Sequence, residues 1–222
     1  MRKQLDFNKE FGKSKIINLR DFKSCQISIH PIFSDIFLCY EEFVKSLKTD
    51  LTVLISKSEL HLWHDPKIRG YVITNYFQWF LYCSTNGSKI KKLRVHSFPQ
   101  NFDKIELLKK EVSMDFLSTL SSYRCDLDKL NPQKLLTLIN KNISREIIIN
   151  LNKEYSQKPH QHMSLELLSE KLGCTRNQLN SRIKAINLRR RAVFDQLEQS
   201  SDIVHRLLNN ADFVLSPEEL WK

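Results

Sequence analysis

Apolar and polar residues alternate in several short segments of the first hundred residues, with the period of two that is typical of strands. Two other segments of this region, residues 40–48 and 78–83, place apolar residues at helical spacing instead. The segments that predict strands are residues 26–30 (ended by Pro31), 51–55, 59–63, 70–75 and 89–98. Residues 25–100 are therefore expected to form a small mixed α/β domain.

From residue 102 onward the spacing of apolar residues is helical almost to the end of the chain. Asn131 and Pro132 are placed to open one of these helices, since proline is favoured in a first helical turn. The predicted helices include residues 107–120, 132–139 and 143–151. We expect an all-helical domain over residues 101–192, which makes the fold class α+β.

Two terminal segments flank these domains. Residues 1–24 carry seven Lys or Arg against three acidic residues with little periodicity, which is typical of a basic arm that is mobile until it binds a partner. Residues 193–222 repeat apolar positions at helical spacing. This tail would cap the helical domain or pair with a second copy of the chain.

The composition adds a strong positive charge to this picture. The 222 residues contain 35 Lys and Arg against 25 Asp and Glu, a net charge of +10 with a pI near 9.4. An excess of this size predicts a polyanionic partner, most commonly nucleic acid. A hydrophobic content of 41% excludes a disordered basic tail, and a total of four glycines argues against Gly-rich phosphate-binding loops.

Cysteine spacing and apolar segments bear on the compartment of the protein. The five cysteines are scattered without a C-x-x-C pair, which argues against a disulfide framework and against a zinc ribbon. The amino terminus lacks the apolar segment of a signal peptide. The most apolar run, residues 71–83, is shorter than the roughly 20 residues that span a bilayer. We expect a cytoplasmic, nucleoid-associated protein with no membrane contact.

The most specific pattern lies at residues 164–186, which predict a helix, a three-residue turn and a second helix. Ser164 is placed to cap the first helix. Gly173 falls where a tight turn needs a positive φ, and Thr175 with Gln178 forms a capping box for the second helix. The residues spaced to lock the two helices together are Leu168, Ser169, Leu172, Cys174, Leu179 and Ile183.

This segment resembles the DNA-binding helix-turn-helix family. The resemblance implies that the second helix enters the major groove of DNA. Arg and Lys side chains suit guanine and phosphate, and Asn and Gln side chains suit adenine. The residues expected to contact DNA are Thr175, Arg176, Asn177, Gln178, Asn180, Ser181, Arg182, Lys184, Arg189, Arg190 and Arg191. The alternative is a pair of packed helices with a polar outer face.

The local charge favours the DNA-binding interpretation. Residues 164–191 carry seven Lys or Arg against two acidic residues, whereas residues 192–222 carry two against six. Positive charge is therefore concentrated on the segment expected to read DNA and is reversed just beyond it. Arg189, Arg190 and Arg191 follow that segment directly, so we expect them to contact phosphates.

The order of the upstream segments is similar to that of the ParB-like partition protein family, in which a small α/β domain precedes a helical domain with a helix-turn-helix. The segments that carry this likeness are residues 27–31, 41–47, 71–75, 92–98 and 124–132. The family's nucleotide signature, a Gly-Glu-Arg-Arg or Gly-His-x-Arg run, would fall near residues 75–80, which contain neither glycine nor arginine. Of its second phosphate motif at most Arg124 is left.

These departures predict that CTP binding, CTP hydrolysis and nuclease activity are lost, so we expect no cofactor and no catalytic residue. The aromatic residues at 76–80 are expected to pack in the core rather than to stack on bases. The basic residues at 89–94 either form a solvated strand face or contact phosphates. The pairs His61 with His64 and His160 with His162 lack the three or four convergent ligands of a metal site, so we expect no metal.

We therefore expect a sequence-specific double-stranded DNA-binding protein that acts as a homodimer. Its role would be that of a transcriptional regulator or DNA-organising factor of ParB-like descent that works without CTP. Three alternatives stay open: a plasmid or chromosome partition protein, a ParB-like nuclease, and a protein-interaction adaptor whose basic charge is incidental.

Overall fold

The computed structural model describes residues 14–18, 27–48, 59–68, 71–85, 92–153, 160–198 and 209. Within these residues the chain forms one mixed five-stranded sheet and seven α-helices, which confirms the α+β class. The strands are β1 (Lys15–Asn18), β2 (Ile27–Ile29), β3 (Glu59–His64), β4 (Tyr71–Ile73) and β5 (Lys92–Ser97).

The sheet has the strand order β1-β5-β3-β4-β2. The pairs β1 with β5 and β3 with β4 are antiparallel, whereas β5 is parallel to β3 and β4 is parallel to β2. The alternation of apolar residues predicts β2, β3, β4 and β5 correctly. The strand predicted at residues 51–55 lies outside the described residues.

The alternation does not predict the edge strand β1. Its residues Lys15 to Asn18 pair in antiparallel register with Val95 to Lys92 of β5. The Arg94 guanidinium also donates a hydrogen bond to Ser14 Oγ at 3.1 Å. Four residues of the segment expected to be a mobile basic arm therefore form an edge strand of the sheet. A strand of this length is too short for its own periodicity to identify it.

The helices are α1 (Ser34–Val44), α2 (Tyr76–Thr85), α3 (Phe102–Ser122), α4 (Pro132–Asn142), α5 (Arg145–Lys153), α6 (Leu165–Lys171) and α7 (Arg176–Glu198). Most of them lie where the spacing of apolar residues predicts helices. The exception is α1, which begins six residues before the helix predicted at residues 40–48 and ends at Val44, because Leu47 pairs with Cys125 in an isolated β-bridge instead of continuing the helix. Asn131 caps α4 as expected, because its side chain accepts a hydrogen bond from the Lys134 N–H at 3.0 Å. Among the helices of the described ranges, none has both the length and the apolar character needed to cross a membrane.

A single cluster of buried apolar side chains joins the sheet to the helical half of the chain. It extends from Phe33, just before α1, to Leu179 in α7. Polar contacts hold α1 against α4: the Lys134 ammonium lies 2.7 Å from the Glu42 carboxylate, and Asn142 donates to the Asp35 carbonyl at 3.0 Å. The α/β and helical parts therefore share one core.

Tyr40 of α1 is the centre of an aromatic stack that joins three helices. Its ring lies parallel to Tyr76 of α2, with centroids 5.1 Å apart, and edge-on to Phe116 of α3 at 4.9 Å. Its hydroxyl donates to the Asp115 carboxylate at 2.7 Å. Phe77 is also edge-on to Tyr40. Tyr76 and Phe77, which belong to the aromatic cluster of residues 76–80, thus pack in the core as expected.

A buried histidine that follows one strand contacts residues at the ends of two other strands. His30 follows β2, and its Nε2 lies 3.3 Å from Asp65, which follows β3. Its Nδ1 accepts a hydrogen bond from the Ile32 N–H, and its ring stacks on Phe98, just after β5, at 4.1 Å. Gln100 donates to the same Asp65 carboxylate at 3.2 Å. With Nδ1 accepting, the neutral imidazole donates its Nε2–H to Asp65.

This environment makes stability depend on pH. Burial lowers the pKa of His30 below its ordinary value of 6.5, and this outweighs the opposing effect of Asp65. The unfolded chain then binds a proton at His30 before the folded chain does, so the free energy of unfolding falls as pH decreases below 6.5. We expect a slope of up to about 1.4 kcal/mol per pH unit from this group. Urea denaturation between about pH 5 and pH 7.5 measures it.

Replacing the histidine separates this contribution from all others. In His30→Gln the slope below pH 6.5 should decrease by the amount attributed to His30, because glutamine does not titrate. The unsubstituted protein, measured over the same pH range, provides the comparison. Identical slopes in the two proteins would contradict the assignment.

Candidate nucleic-acid interface

Helix α6, a tight turn and helix α7 cover the residues where the sequence predicts a helix, a turn and a second helix (the helix-turn-helix segment). The hydroxyl of Ser164 caps α6 by accepting a hydrogen bond from the Leu167 N–H at 3.1 Å. Gly173 in the turn has φ +64°, the left-handed conformation that its position predicts. The Gly173 N–H donates to the Glu170 carbonyl at 3.1 Å, which closes the end of α6.

A reciprocal capping box fixes the start of α7. The Thr175 N–H donates to Gln178 Oε1 at 2.8 Å, and the Gln178 N–H donates to Thr175 Oγ1 at 3.2 Å. Both side chains are exposed, yet their polar atoms are engaged with each other and with the backbone. Of the predicted DNA-contacting residues, these two therefore have a clear role in shaping the helix.

The two helices pack as their apolar spacing predicts. Leu168, Leu172 and Leu179 are buried between them, and Ser169 is buried where the helices approach. Upstream, Asn140 of α4 makes two hydrogen bonds with the backbone of Met163, accepting from its N–H at 2.7 Å and donating to its carbonyl at 3.1 Å. These bonds hold the start of the motif against the helical body, so α7 is presented on a fixed support.

The outer surface of α7 carries an exposed polar face near its amino end. Arg176, Asn177, Ser181 and Lys184 are exposed, and Asn180 is half-buried. Asn177, Ser181 and Lys184 are four and three residues apart, so they lie along one side of the helix. This face combines hydrogen-bond donors and acceptors with positive charge, which are the groups that read base edges and bind phosphates.

Arg182 differs from the other predicted residues because its guanidinium faces the protein. Its Nε donates to the Leu130 carbonyl at 3.0 Å, and its Nη2 donates to the Asp128 carbonyl. Both acceptors lie in the loop that connects α3 to α4. Its residue type and spacing predict a place on the DNA-contacting face, because no nearby residue indicates acceptors more than fifty residues upstream. The structure gives this side chain a role in docking α7 against the loop.

Helix α7 continues without a break beyond the predicted motif. Its 23 residues make it about 34 Å long, and the arginines at 189–191 are exposed on the same helix rather than in a following segment. Residues 193–198, expected to begin a separate tail, belong to this helix too. Leu188 and Phe194 are exposed. The rest of the predicted tail lies outside the described residues, apart from residue 209.

A cleft of about 770 Å³ lies beside the turn of the motif. One wall is formed by residues 120–128 and the other by residues 170–174. The charged residues that line it are Lys48, Arg124, Lys171, Asp126, Asp128 and Glu170. The two signs of charge are balanced, so the cleft does not extend the positive surface of α7.

The structure also describes His61, His64 and the basic residues of β5, which are further candidates for a functional site in the sequence. His61 Nδ1 lies 3.2 Å from His96 Nε2 across neighbouring strands, whereas His64 is exposed. No group of three or more His, Cys, Asp or Glu side chains in the described ranges is arranged to hold a metal ion. In β5, Lys92 is exposed and Arg94 contacts the amino-terminal segment.

No protein-family model, curated protein or solved structure matches this chain. The helix-turn-helix geometry, the exposed polar face of α7 and the local charge are consequently the observations on which a function can be argued.

Gly173 offers a direct test of the turn. Gly173→Ala should lower the free energy of unfolding by roughly 1–2 kcal/mol, because a residue with a Cβ is strained at positive φ. A Cβ at this position would meet no atom within 4 Å, so the cost comes from the backbone and not from a clash. Asparagine tolerates this conformation better, and Gly173→Asn should cost less. Chemical denaturation compares the two, and equal stability of Ala and Gly would contradict the assignment.

Proposed function

We propose that this protein binds double-stranded DNA in a sequence-specific manner, with the amino-terminal half of α7 in the major groove. The observation that carries the proposal is the exposed face of α7 with Arg176, Asn177, Ser181 and Lys184 on a capped, supported helix. An α-helix fits the major groove, where arginine pairs with guanine and asparagine with adenine through two hydrogen bonds each. Rigid support favours such recognition because fewer side-chain and backbone freedoms are lost on binding.

The charge of α7 supports a polyanionic partner. Between residues 176 and 194 the helix carries six Lys or Arg and no acidic residue. One of the six, Arg182, is engaged with backbone carbonyls, whereas Arg176, Lys184, Arg190 and Arg191 are exposed. Cations at this density release condensed counterions from a DNA duplex, so binding should weaken steeply as salt is added.

The biological role that we favour is transcriptional regulation or DNA organisation without CTP. Tyr76 and Phe77 lie where the ParB-like resemblance would put the nucleotide signature, and their rings pack against Tyr40 of the core. This packing supports a structural role for residues 76 and 77 in place of nucleotide binding. A partition protein would bind CTP, and a ParB-like nuclease would cleave DNA in the presence of a divalent metal. The homodimer expected from the helix-turn-helix resemblance stays a prediction.

Selection of bound fragments from a random pool of DNA duplexes tests the proposal. We expect enrichment of a common motif, with binding that weakens as NaCl is raised from about 50 to 200 mM. Recovery of random sequences at every salt concentration would overturn sequence specificity. An absence of DNA binding at about 50 mM NaCl would overturn the proposal as a whole.

A substitution of Arg182 distinguishes a role in docking α7 against the loop after α3 from a role in recognising DNA bases. Arg182→Ala should lower the free energy of unfolding by about 1.5–3 kcal/mol, the range for hydrogen bonds made by a charged group. DNA affinity should fall, while the order of preference among bases at each position of the enriched motif stays the same. Unchanged stability together with relaxed preference at one base pair would identify Arg182 as a base reader instead.

A further inference from the structure

One side of α7 carries a mainly apolar stripe that continues past the part of the helix that is packed on the protein. The residues of this α7 stripe are separated alternately by four and three positions, so they lie along one side of the helix. They are Leu179, Ile183, Ile186, Arg190 and Val193. A stripe with this spacing is typical of a helix that packs against a neighbour along its whole length.

Contact with the rest of the protein decreases along the stripe. Leu179 is fully buried, Ile183 and Ile186 are half-buried, and every residue from 187 to 192 is exposed. Phe194, at the edge of the stripe, is 62% exposed. Among the described residues, α7 packs mainly against α4 and α6. The stripe beyond Ile186 therefore remains largely open in the part of the chain that the structure describes, and an open apolar surface is typical of a binding site.

Residues 199–222, which follow α7 directly and which we call the terminal segment, have a matching apolar pattern. Asn209, the residue of this segment that the structure describes, is helical and exposed. Relative to Asn209, the apolar residues of the segment recur on the other side of a helix, and Ser200, Ser201 and Asp202 before them are typical of a turn and a helix start. The apolar residues are Ile203, Val204, Leu207, Leu208 and Ala211.

We propose that the terminal segment folds back on α7 as an antiparallel helix and covers the α7 stripe. With a turn at residues 199–201, positions equally distant from residue 200 lie side by side, because both helices rise by about 1.5 Å per residue. Leu207 then lies alongside Val193, and Val214 alongside Ile186. The short connection holds the segment near the stripe at an effective concentration of roughly millimolar, which favours it over a separate chain.

Charge also favours the terminal segment over a second copy of the protein. Residues 176–194 carry six Lys or Arg and no acidic residue, so a second α7 laid along the stripe would bring like charges together. The terminal segment carries four acidic residues against two basic ones. In the antiparallel pairing Arg190 lies opposite residue 210, and Asp212 is within one turn of that position. The cation in the stripe thus gains a carboxylate neighbour from its own chain.

The covered stripe gives Arg190 and Arg191 different roles. Arg191 is seven residues after Lys184 and shares its side of α7, whereas Arg190 belongs to the stripe. On the proposed DNA-binding function, on which this step rests, Arg191 contacts phosphate and Arg190 does not. Arg191→Ala should reduce the slope of log affinity against log salt by about 1, and Arg190→Ala should leave the slope unchanged.

Hydrogen exchange of the full-length protein, followed by mass spectrometry of its peptides, tests the docking without DNA. A helix of this length is marginal by itself in water, so slow exchange reports its contact with α7. We expect the amides of residues 203–211 to exchange at least about tenfold more slowly than in an unfolded reference peptide of the same sequence. Val193→Asp on α7 and Leu207→Asp on the terminal segment should each remove this protection. Because Leu207 lies outside α7, its variant leaves the stripe itself unaltered.

Leu188→Asp is the matched control, since Leu188 is 65% exposed on the opposite side of α7, and it should retain the protection. Exchange at the unfolded rate in the unsubstituted protein would overturn the proposal, and so would protection that both other variants retain. Sedimentation identifies a second copy, because a dimer that Val193→Asp and Leu207→Asp both dissociate would make another chain the occupant.

The DNA measurements fail separately from the docking. A salt slope reduced as much by Arg190→Ala as by Arg191→Ala would overturn the division between the two arginines. If the protein binds no DNA, the proposed function is wrong, whereas protected amides in the terminal segment would still support its docking on the α7 stripe.

Discussion

Replacing Arg176 and Lys184 together by alanine is expected to weaken binding to the selected DNA motif by about 30- to 25,000-fold, since each contact to a base or phosphate contributes roughly 1–3 kcal/mol. Both side chains are exposed on α7, and neither takes part in the capping box of Thr175 with Gln178. The substitution should therefore leave the melting temperature nearly unchanged. Fluorescence anisotropy with a labelled duplex at fixed salt measures the loss.

The salt dependence of the same variant gives an independent reading. Removing two cations that contact phosphates should reduce the slope of log affinity against log salt by about 2. Lys141→Ala with Arg145→Ala is the matched control, because both side chains are exposed and lie outside α7, Lys141 in the last turn of α4 and Arg145 at the start of α5. If the control pair weakens binding as much as the α7 pair, nonspecific attraction by net charge explains the affinity and the assignment of α7 fails.

Tyr40→Ala is expected to have the largest effect on stability, lowering the free energy of unfolding by about 3–5 kcal/mol. The ring is 1% exposed and contacts aromatic side chains of α2 and α3, so alanine leaves a cavity between three helices. Domains of this kind have roughly 5–15 kcal/mol of stability in total, and the variant would retain only part of it. Urea denaturation at neutral pH measures the change.

Tyr40→Phe separates the ring from the hydroxyl. It keeps the stack and removes the hydrogen bond to Asp115, so it should cost only about 1 kcal/mol. Because Asp115 is exposed, water can replace the lost donor. If phenylalanine proved as destabilising as alanine, the hydroxyl rather than the ring would be the main contribution of Tyr40 to the core.

Much of the fold can be predicted from the sequence because its signals are local. Most helices follow apolar spacing, α1 being displaced toward the amino terminus. The geometry of the helix-turn-helix segment depends on Ser164, Gly173, Thr175 and Gln178, which act on residues close to them in the sequence. Such residues constrain the backbone whatever the rest of the chain does. The turn and the start of α7 therefore match the expectation residue by residue.

The features that escape prediction depend on contacts between distant residues. β1 exists through its pairing with β5, some eighty residues later. Arg182 looks like a DNA-contacting residue by type and spacing, yet its acceptors are the carbonyls of Asp128 and Leu130. The cleft beside the turn likewise arises only when the loop after α3 and the turn of the motif come together. The residues near each of these positions in the sequence give no indication of its distant partner.

Because α7 is one unbroken helix, its residues keep fixed distances along the axis and fixed angles around it. Arg176, at the start of α7, and Arg191 are separated by about 22 Å along the axis of one helix, so these two cations keep a constant distance and angle. One residue inserted between them would turn the second group by about 100° around the axis, whereas seven would nearly restore its direction. On the proposed DNA-binding function, an insertion or deletion between Arg176 and Arg191 would therefore turn one of the two cations away from the surface that the other contacts.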